Sequence, residues 1–484
     1  MSFCRTKSVL VNMSALILIA MALSTVIFAG DKDKKAAPAS APTAKPVQPV
    51  RPPHVLPPPP KSVQPTKPHV QPDGKVGKVG VVVTGPAHYV SHSGDQTKVL
   101  PGGRTEYRNA NGRAVTINAR GEVQRIEAPR GLAGGSKLVI NHGAGGGRIV
   151  EAGRSGARVV SYGAGRGFVE RPLRQGYITR TYVAGGRSIA HVYREYRFHD
   201  NAYYRYVPGV YYGPRFYAWA VTPWGAPMHY AWFGLATPAP WFGFYAGYFT
   251  PYPAYASPDL WLTDYLIAEN LRLSYENLQA GNADQAVPAA VTSASTEMLT
   301  PEVKTLIADE VRQQLAAEKA AAAQSISSNS QQPALANEQL PPAMTQRFFV
   351  VSSYLDITTA VGQACSLTPG DVIQRKGADV ADDGGVAVEV VSSKPNGCAA
   401  GSGARVQVAA LQEMQNQFRE QIDSGLKALA ENQAKGLPSA PPSGAHSISE
   451  GIADPASDTG EQIAAQEADA ARVEAQVRQN GGTN

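Results

Sequence analysis

The fold is decided by residues 103–126, which read GRTEYRNANGRAVTINARGEVQRI. Short runs rich in β-branched residues alternate there with turn signals, of which Asn111-Gly112 is the strongest. Glycines recur at spacings of 9, 9 and 10 residues, which is typical of β-hairpins, at Gly103, Gly112, Gly121 and Gly131. The segment therefore predicts antiparallel strands that follow one another as a meander or a repeat.

The same pattern defines a basic, Gly-rich β-region over residues 76–197. Its later runs include Leu138–Ile140, Arg148–Val150, Arg158–Tyr162, Tyr177–Val183 and Ile189–Tyr193. The alternation of Gly-Arg, a β-branched run and Asn-Gly-Arg resembles the Gly-punctuated β-repeats of RHS/YD-type bacterial surface proteins over residues 102–195. The resemblance implies a shape, and it implies no activity.

The N-terminus resembles an export signal. Arg5 and Lys7 precede an apolar stretch, and small Ala29 closes it before a charged cluster, so residues 1–29 predict a signal peptide cleaved after Ala29. An uncleaved membrane anchor is the alternative, and both export the body of the protein to the periplasm, the cell envelope or the medium. Residues 30–75, with 13 prolines, predict a disordered linker.

Charge is distributed unevenly along the chain. Residues 76–200 contain 19 Lys and Arg against 8 Asp and Glu, whereas residues 437–484 contain 2 against 7. The basic excess has two interpretations: solvated strand faces, or attraction to an anionic polymer or glycan matrix. The export signal argues against nucleic acid as a partner.

Residues 198–256 form an aromatic, Pro-rich block. The stretch from Phe198 to Tyr265 holds 23 of the 38 aromatic residues, and residues 216–258 contain no Asp, Glu, Lys or Arg. Seven prolines exclude a membrane-spanning helix. The rings could form a core, lie at a membrane surface, or stack on sugar rings. The candidate glycan or interface aromatics are Trp219, Trp224, Trp232 and Trp241.

The remaining chain predicts helices and a second β structure. Two amphipathic helices are expected in residues 257–320, starting at Pro258 and Pro301, then a linker over residues 321–344. Residues 345–436 predict a small β-barrel followed by a helix, and Leu367–Ile373 resembles a phrase of SH3-like barrels and PDZ domains. An acidic tail, disordered or partly helical, is expected over residues 437–484. The fold class is thus a mosaic, mainly β with α, joined by disordered linkers.

Two cysteines remain after the signal, Cys365 and Cys398. An even pair in an exported chain favours a disulfide, and the alternative is a nucleophilic thiol. That alternative lacks a convincing partner histidine or arginine.

Motifs of catalysis are missing from the sequence. It contains no HExxH, P-loop, GxSxG or dinucleotide fingerprint, and His88 and His92 lie in a loop-like context. We therefore expect no catalytic residue, metal or cofactor, and a non-enzymatic envelope or surface protein that binds an anionic or glycan matrix. A membrane-associated assembly factor and a wall- or polysaccharide-acting enzyme are the alternatives. The oligomeric state is open.

Overall fold

The computed structural model describes residues 89–481 with gaps at residues 90, 92–93, 101–102, 130–136, 143–147, 155–156, 185–186, 199–200, 233–238, 282–298, 328–339, 396 and 432–435. The predicted signal segment, the Pro-rich linker, His88 and His92 lie outside the described residues. All described residues belong to one unit of the chain, Val81–Asn484.

An antiparallel meander of eleven strands forms the first part of the described chain, and each strand pairs with the next one in sequence. The strands are β1 (Gln96–Leu100), β2 (Arg104–Arg108), β3 (Ala114–Ile117), β4 (Val123–Ala128), β5 (Leu138–His142), β6 (Arg148–Arg154), β7 (Ala157–Gly163), β8 (Arg166–Arg174), β9 (Tyr177–Ala184), β10 (Arg187–Phe198) and β11 (Asn201–Val207). The predicted meander is confirmed. The sequence analysis missed β1, β8 and β11, and β11 extends the sheet into the aromatic block.

The turns of the meander follow from asparagine and glycine. Gly112 and Gly121 have positive φ angles of 77° and 83°, a conformation that glycine adopts without steric cost. Three residues before each glycine, an asparagine accepts backbone hydrogen bonds with its side-chain oxygen: Asn109 from Arg113 N, and Asn118 from Glu122 N. These side chains satisfy the turn's backbone donors, which makes the hairpin spacing a local property of the sequence.

Six helices follow the sheet in the described chain. They are α1 (Pro214–Ala220), α2 (Pro240–Tyr245), α3 (Pro258–Gly281), α4 (Pro301–Ser327), α5 (Val408–Ala430) and α6 (Thr459–Gly481). The predicted starts of α3 and α4 are confirmed, and α4 runs on into the predicted linker. The largest apolar core lies around α3 and contains the fully buried rings of Phe216, Tyr245, Tyr248, Phe249, Tyr255 and Trp261. Much of the aromatic block is therefore core.

A second antiparallel sheet forms the C-terminal part. The strands of this sheet and of a neighbouring hairpin are β13 (Phe348–Val350), β14 (Leu355–Thr358), β15 (Ala364–Leu367), β16 (Val372–Val380), β17 (Gly385–Ser392) and β18 (Gly403–Gln407). Two further strands, β12 (Val210–Tyr211) and β19 (His446–Ser447), pair with each other as a separate two-stranded sheet. The sheet order is β13-β16-β17-β18, and the hairpin β14–β15 joins β18 through a Thr359–Ala404 bridge. Tyr203 of β11 lies in the core of this sheet with Phe349 and Met414, so the two sheets share a core.

The structure describes residues 436–481 of the tail, where Thr459–Gly481 form α6, so this part of the tail is partly helical rather than disordered throughout. Helix α6 lies across the apolar face of the meander. Its Ile463 packs with Val159 and Val169, and its Ala470 and Val477 pack with apolar side chains of β3 to β6. The sequence analysis overlooked this apolar stripe because its members are few and small.

The disulfide is confirmed. Cys365 and Cys398 are bonded, with their Cα atoms 5.1 Å apart. Such a bond is typical of an oxidising compartment. Among the described residues, no helix is long and apolar enough to cross a membrane.

Candidate functional site

The arginines of the meander are largely paired inside the molecule. Arg148 lies 2.7 Å from Glu474 of α6 and also bonds Glu467, while Arg171 donates to Asp458 at 2.7 Å. Nearer the tail's start, Arg174 donates to the Glu450 carbonyl. The basic sheet and the acidic tail of the sequence are thus complementary surfaces. Because Arg148 and Arg171 are neutralised by carboxylates of the tail, less positive charge is left to attract an external anion.

On the opposite face of the sheet, arginines are likewise paired with carboxylates of the same molecule. Arg180 is buried and contacts Glu170 of β8 at 2.8 Å and Glu413 of α5 at 2.6 Å. Arg166, at the start of β8, pairs with Glu276 of α3 at 2.8 Å. These pairs lower the positive charge that the sheet presents to solvent below what the count of arginines in the sequence suggested.

The four candidate tryptophans lie at three separate places. Trp219 on α1 and Trp224 just after it have ring centroids 6.4 Å apart and are both half-buried. Trp232 stacks on Trp261 at 5.7 Å, near the start of α3. Trp241 is the second residue of the short helix α2, beside Phe242. They do not form one continuous platform.

Trp219 and Trp224 form the surface best suited to a ligand. Between and beside the two rings the chain exposes Thr222, Pro223, Gly225, Ala226 and Pro227. The backbone N–H of Trp224 donates to Ala256 O at 2.7 Å, which fixes this segment against the start of α3. We call residues 219–227 the Trp219–Trp224 face. It has no formal charge, and Thr222 is its one residue with a polar hydroxyl group.

The third tryptophan supports a buried carboxyl group. Trp232 Nε1 donates to Tyr255 Oη at 2.6 Å, and Tyr255 Oη donates to Asp264 Oδ2 at 2.7 Å. The backbone N–H of Tyr252 donates to the same oxygen at 2.6 Å, and Lys304 Nζ lies 2.8 Å from Asp264 Oδ1. We call this group the Asp264 cage. Asp264 is 0% and Lys304 2% exposed.

The charges in the Asp264 cage are costly to keep. Burial raises the pKa of Asp264, although the Lys304 ammonium and the hydrogen bonds oppose this effect. Burial likewise lowers the pKa of Lys304 against the opposing Asp264 carboxylate. Both shifts favour the uncharged forms, a free amine and a carboxylic acid.

A second titratable network lies between the meander and α5. Tyr193 donates to Glu420, Tyr206 Oη donates to Asp423 Oδ2 at 2.7 Å, and His191 Nδ1 lies 3.1 Å from Glu420. Burial and the nearby Glu318 charge raise the pKa of Asp423 to about 8. Perturbed groups of this kind occur in active sites and in structural networks alike.

The position of this network favours the structural role. Asn416 of α5 accepts from Tyr206 N at 3.0 Å and donates to Tyr204 O at 2.8 Å, and Arg419 donates to Tyr206 O at 2.6 Å. These contacts satisfy the open edge of β11, so α5 seals the network against the sheet. In the described ranges, no group of three or more His, Cys, Asp or Glu side chains could hold a metal ion.

Sequence reasoning missed both clusters. It considered only the apolar side of α5, although Gln412, Asn416, Arg419, Glu420 and Asp423 recur at helical spacing on a second face. This second stripe, together with the tyrosines of β9 to β11, is the signal that could have revealed the interface. The pairing of Asp264 with Lys304 left no such signal.

Comparisons with protein-family models, with curated proteins and with solved structures found no match to this chain.

Proposed function

We propose that this chain is an exported, non-enzymatic protein of the cell envelope or cell surface, and that it binds a glycan-rich matrix through the Trp219–Trp224 face. The observation that carries the proposal is the pair of half-buried rings, 6.4 Å apart, inside a 43-residue stretch without formal charge. Aromatic rings held by a folded scaffold can stack on the apolar faces of sugars at little entropic cost. The disulfide supports export to an oxidising compartment.

The internal pairing of the arginines shifts the proposal from anionic polymers towards neutral glycans. Arg148, Arg166 and Arg180 have carboxylate partners within 2.8 Å, and each is largely buried. An external polyanion would have to displace these partners, whereas a neutral sugar meets no such competition on the Trp219–Trp224 face.

Binding to insoluble cell-wall glycan tests the proposal. Purified protein is sedimented with peptidoglycan sacculi, and the double variant W219A/W224A is compared with wild type. We expect binding to weaken by roughly 5- to 140-fold, because each of the two aromatic contacts contributes about 0.5–1.5 kcal/mol. Ile189→Ala is the control, since Ile189 is an apolar side chain that is 56% exposed and belongs to β10 rather than to the Trp219–Trp224 face.

The same experiment separates the alternatives. Thermal unfolding first shows that the double variant is folded. Equal sedimentation of the double variant and wild type would refute glycan binding through this face. Release by 1 M salt would favour an anionic polymer, since the Debye length then falls to about 3 Å. Binding to lipid vesicles instead of sacculi would favour the membrane-associated factor, because aromatic rings without formal charge also suit a membrane surface.

A further inference from the structure

The Asp264 cage has the geometry of an acyl-transfer site. It brings together an amine, a carboxyl group and two hydrogen-bond donors directed at one carboxyl oxygen. From these contacts we propose that Lys304 and Asp264 become joined by an isopeptide bond between Nζ and Cγ, which covalently links α4 to α3. The proposal does not depend on glycan binding.

The nucleophile is well placed. Lys304 Nζ lies 2.8 Å from Asp264 Oδ1, one bond from the carbon that it would attack, and donates to Thr250 O at 2.9 Å. With only 2% of Lys304 exposed, water cannot compete for the amine. Fixing both groups on packed helices makes the reaction effectively unimolecular, which removes much of the entropic barrier.

The carboxyl group is asymmetric in the way that this reaction requires. Oδ2 accepts from Tyr255 Oη at 2.7 Å and from Tyr252 N at 2.6 Å, whereas Oδ1 faces Lys304. Two donors on one oxygen form an oxyanion hole, which stabilises the charge that develops there during attack. Oδ1 is then the oxygen that leaves.

The reaction balances without an external reagent. The lone pair of the neutral Lys304 amine attacks Cγ of the protonated Asp264 side chain, and the electrons of the Cγ–Oδ2 double bond move to Oδ2. When that double bond re-forms, the Cγ–Oδ1 bond breaks and Oδ1 departs as water with its own proton and one from nitrogen. The products are one amide and one water. The burial that raises the pKa of Asp264 and lowers that of Lys304 increases the share of the reactive neutral pair.

Trp232 is a positioning residue for this reaction. Its Nε1 donates to Tyr255 Oη at 2.6 Å, which directs the phenol proton of Tyr255 towards Asp264. This contact assigns the ring a role other than ligand binding, although the sequence placed it among the candidate glycan aromatics.

A second buried lysine supplies an internal control. Lys394 Nζ lies 2.7 Å from Asp371 Oδ1, but the Lys394 backbone N–H also donates to that oxygen, at 3.0 Å. Thr368 donates twice to Asp371 Oδ2. Donors on both oxygens stabilise the carboxylate, so the prospective leaving oxygen is held in place. We expect this pair to remain an ion pair.

Intact mass spectrometry of the purified full-length mature protein tests the proposal. We expect a mass below the sequence value, corrected for the disulfide and the N-terminus, by the mass of one water molecule. Tandem mass spectrometry of a proteolytic digest should recover the peptides with Asp264 and Lys304 as one branched species. A wild-type protein at the full mass, with the two peptides recovered separately, would overturn the proposal.

Variants separate reaction from packing. K304R keeps a cation opposite Asp264 but should not lose the mass of one water molecule. K394R should lose that mass as wild type does. Y255F removes one oxyanion donor and should slow the appearance of the lighter mass by about 10²-fold in freshly refolded protein. W232F should also slow it, with an unchanged circular dichroism spectrum. Loss of water in K304R at the wild-type extent would place the modification elsewhere and refute the assignment.

Discussion

Glu474 anchors helix α6 to the meander, and its replacement by glutamine tests that packing directly. The carboxylate accepts from Arg148 Nε at 2.7 Å and from Arg148 Nη2 at 3.2 Å, and it lies 3.1 Å from His142 Nε2. The side chains of Glu474 and Arg148 are 10% and 15% exposed. Glutamine keeps the shape and removes the charge.

The cost follows from what remains around Arg148. Removing one partner of a buried ion pair typically costs about 3–5 kcal/mol, and Glu467 still neutralises Arg148 here, so we expect a loss of about 2–3 kcal/mol. A local loss of that size makes opening of α6 roughly 30- to 140-fold more frequent.

Hydrogen exchange of the α6 amides measures this opening. Glu461→Gln is the control, because Glu461 lies exposed in the first turn of the same helix and should cost on the order of 0.5 kcal/mol. Equal exchange rates in E474Q and E461Q would refute the anchoring role of Glu474.

Acid should release the same helix. Burial alone would raise the pKa of Glu474, but the hydrogen bonds from His142 and Arg148 outweigh burial and lower it from its usual 4.5. The stability that this group contributes is therefore present above about pH 4.5 and is lost as the pH falls through the lowered value. The acid-induced loss of protection should be absent in E474Q, which lacks the titrating carboxylate. An equal loss of α6 protection in E474Q and in wild type on acidification would contradict this linkage.

Three further predictions concern other parts of the fold. Replacing Cys365 and Cys398 by serine should lower the free energy of unfolding by about 3.7 kcal/mol, from the entropy of the 33-residue loop, and urea titration with and without reductant measures it. Asp423→Asn should raise the Tm at pH 9 but not at pH 3.5. The pKa of Asp423 is raised from its usual 3.8 to about 8 in the folded state, so ionisation of this carboxyl group costs stability as the pH rises above 3.8, and asparagine removes that cost. Gly451→Ala should cost about 1–3 kcal/mol, since its Cβ would lie 2.0 Å from Pro208 O, whereas Gly460→Ala, with open space around it, should be neutral in the same thermal assay.

The local parts of this fold could be predicted from the sequence. The hairpins at Gly112 and Gly121, the start of α3 at Pro258 and the turn at Gly370 depend on residues within a few positions of each other. In that last turn, Asp371 Oδ2 accepts from Thr368 N at 2.7 Å, as a Pro-Gly-Asp turn requires. Each signal is complete in one short window of sequence.

The non-local parts could not be predicted. Helix α6 covers strands that precede it by about 300 residues, and the sequence shows only the charge complement, basic at residues 76–200 and acidic at residues 437–484. The Asp264 cage brings together Trp232, Tyr255 and Lys304, which lie far apart in the sequence. No periodic pattern of residues indicates that their side chains meet. The four candidate tryptophans were selected by type, and only their packing separates the rings of the Trp219–Trp224 face from the one that supports Asp264.

Helix α6 has a consequence for how the chain folds as it is made. The meander pairs only neighbouring strands, so its hairpins can form one after another from the N-terminal end. Among the described residues, the apolar side chains of β3 to β8 in these two clusters pack against α6, which follows the strands by about 300 residues. Until α6 emerges, the sheet exposes Ile126, Ile140 and Val150 to other chains. We therefore expect a chain that lacks α6 to aggregate, and a holding chaperone would act in the interval before α6 has been synthesised.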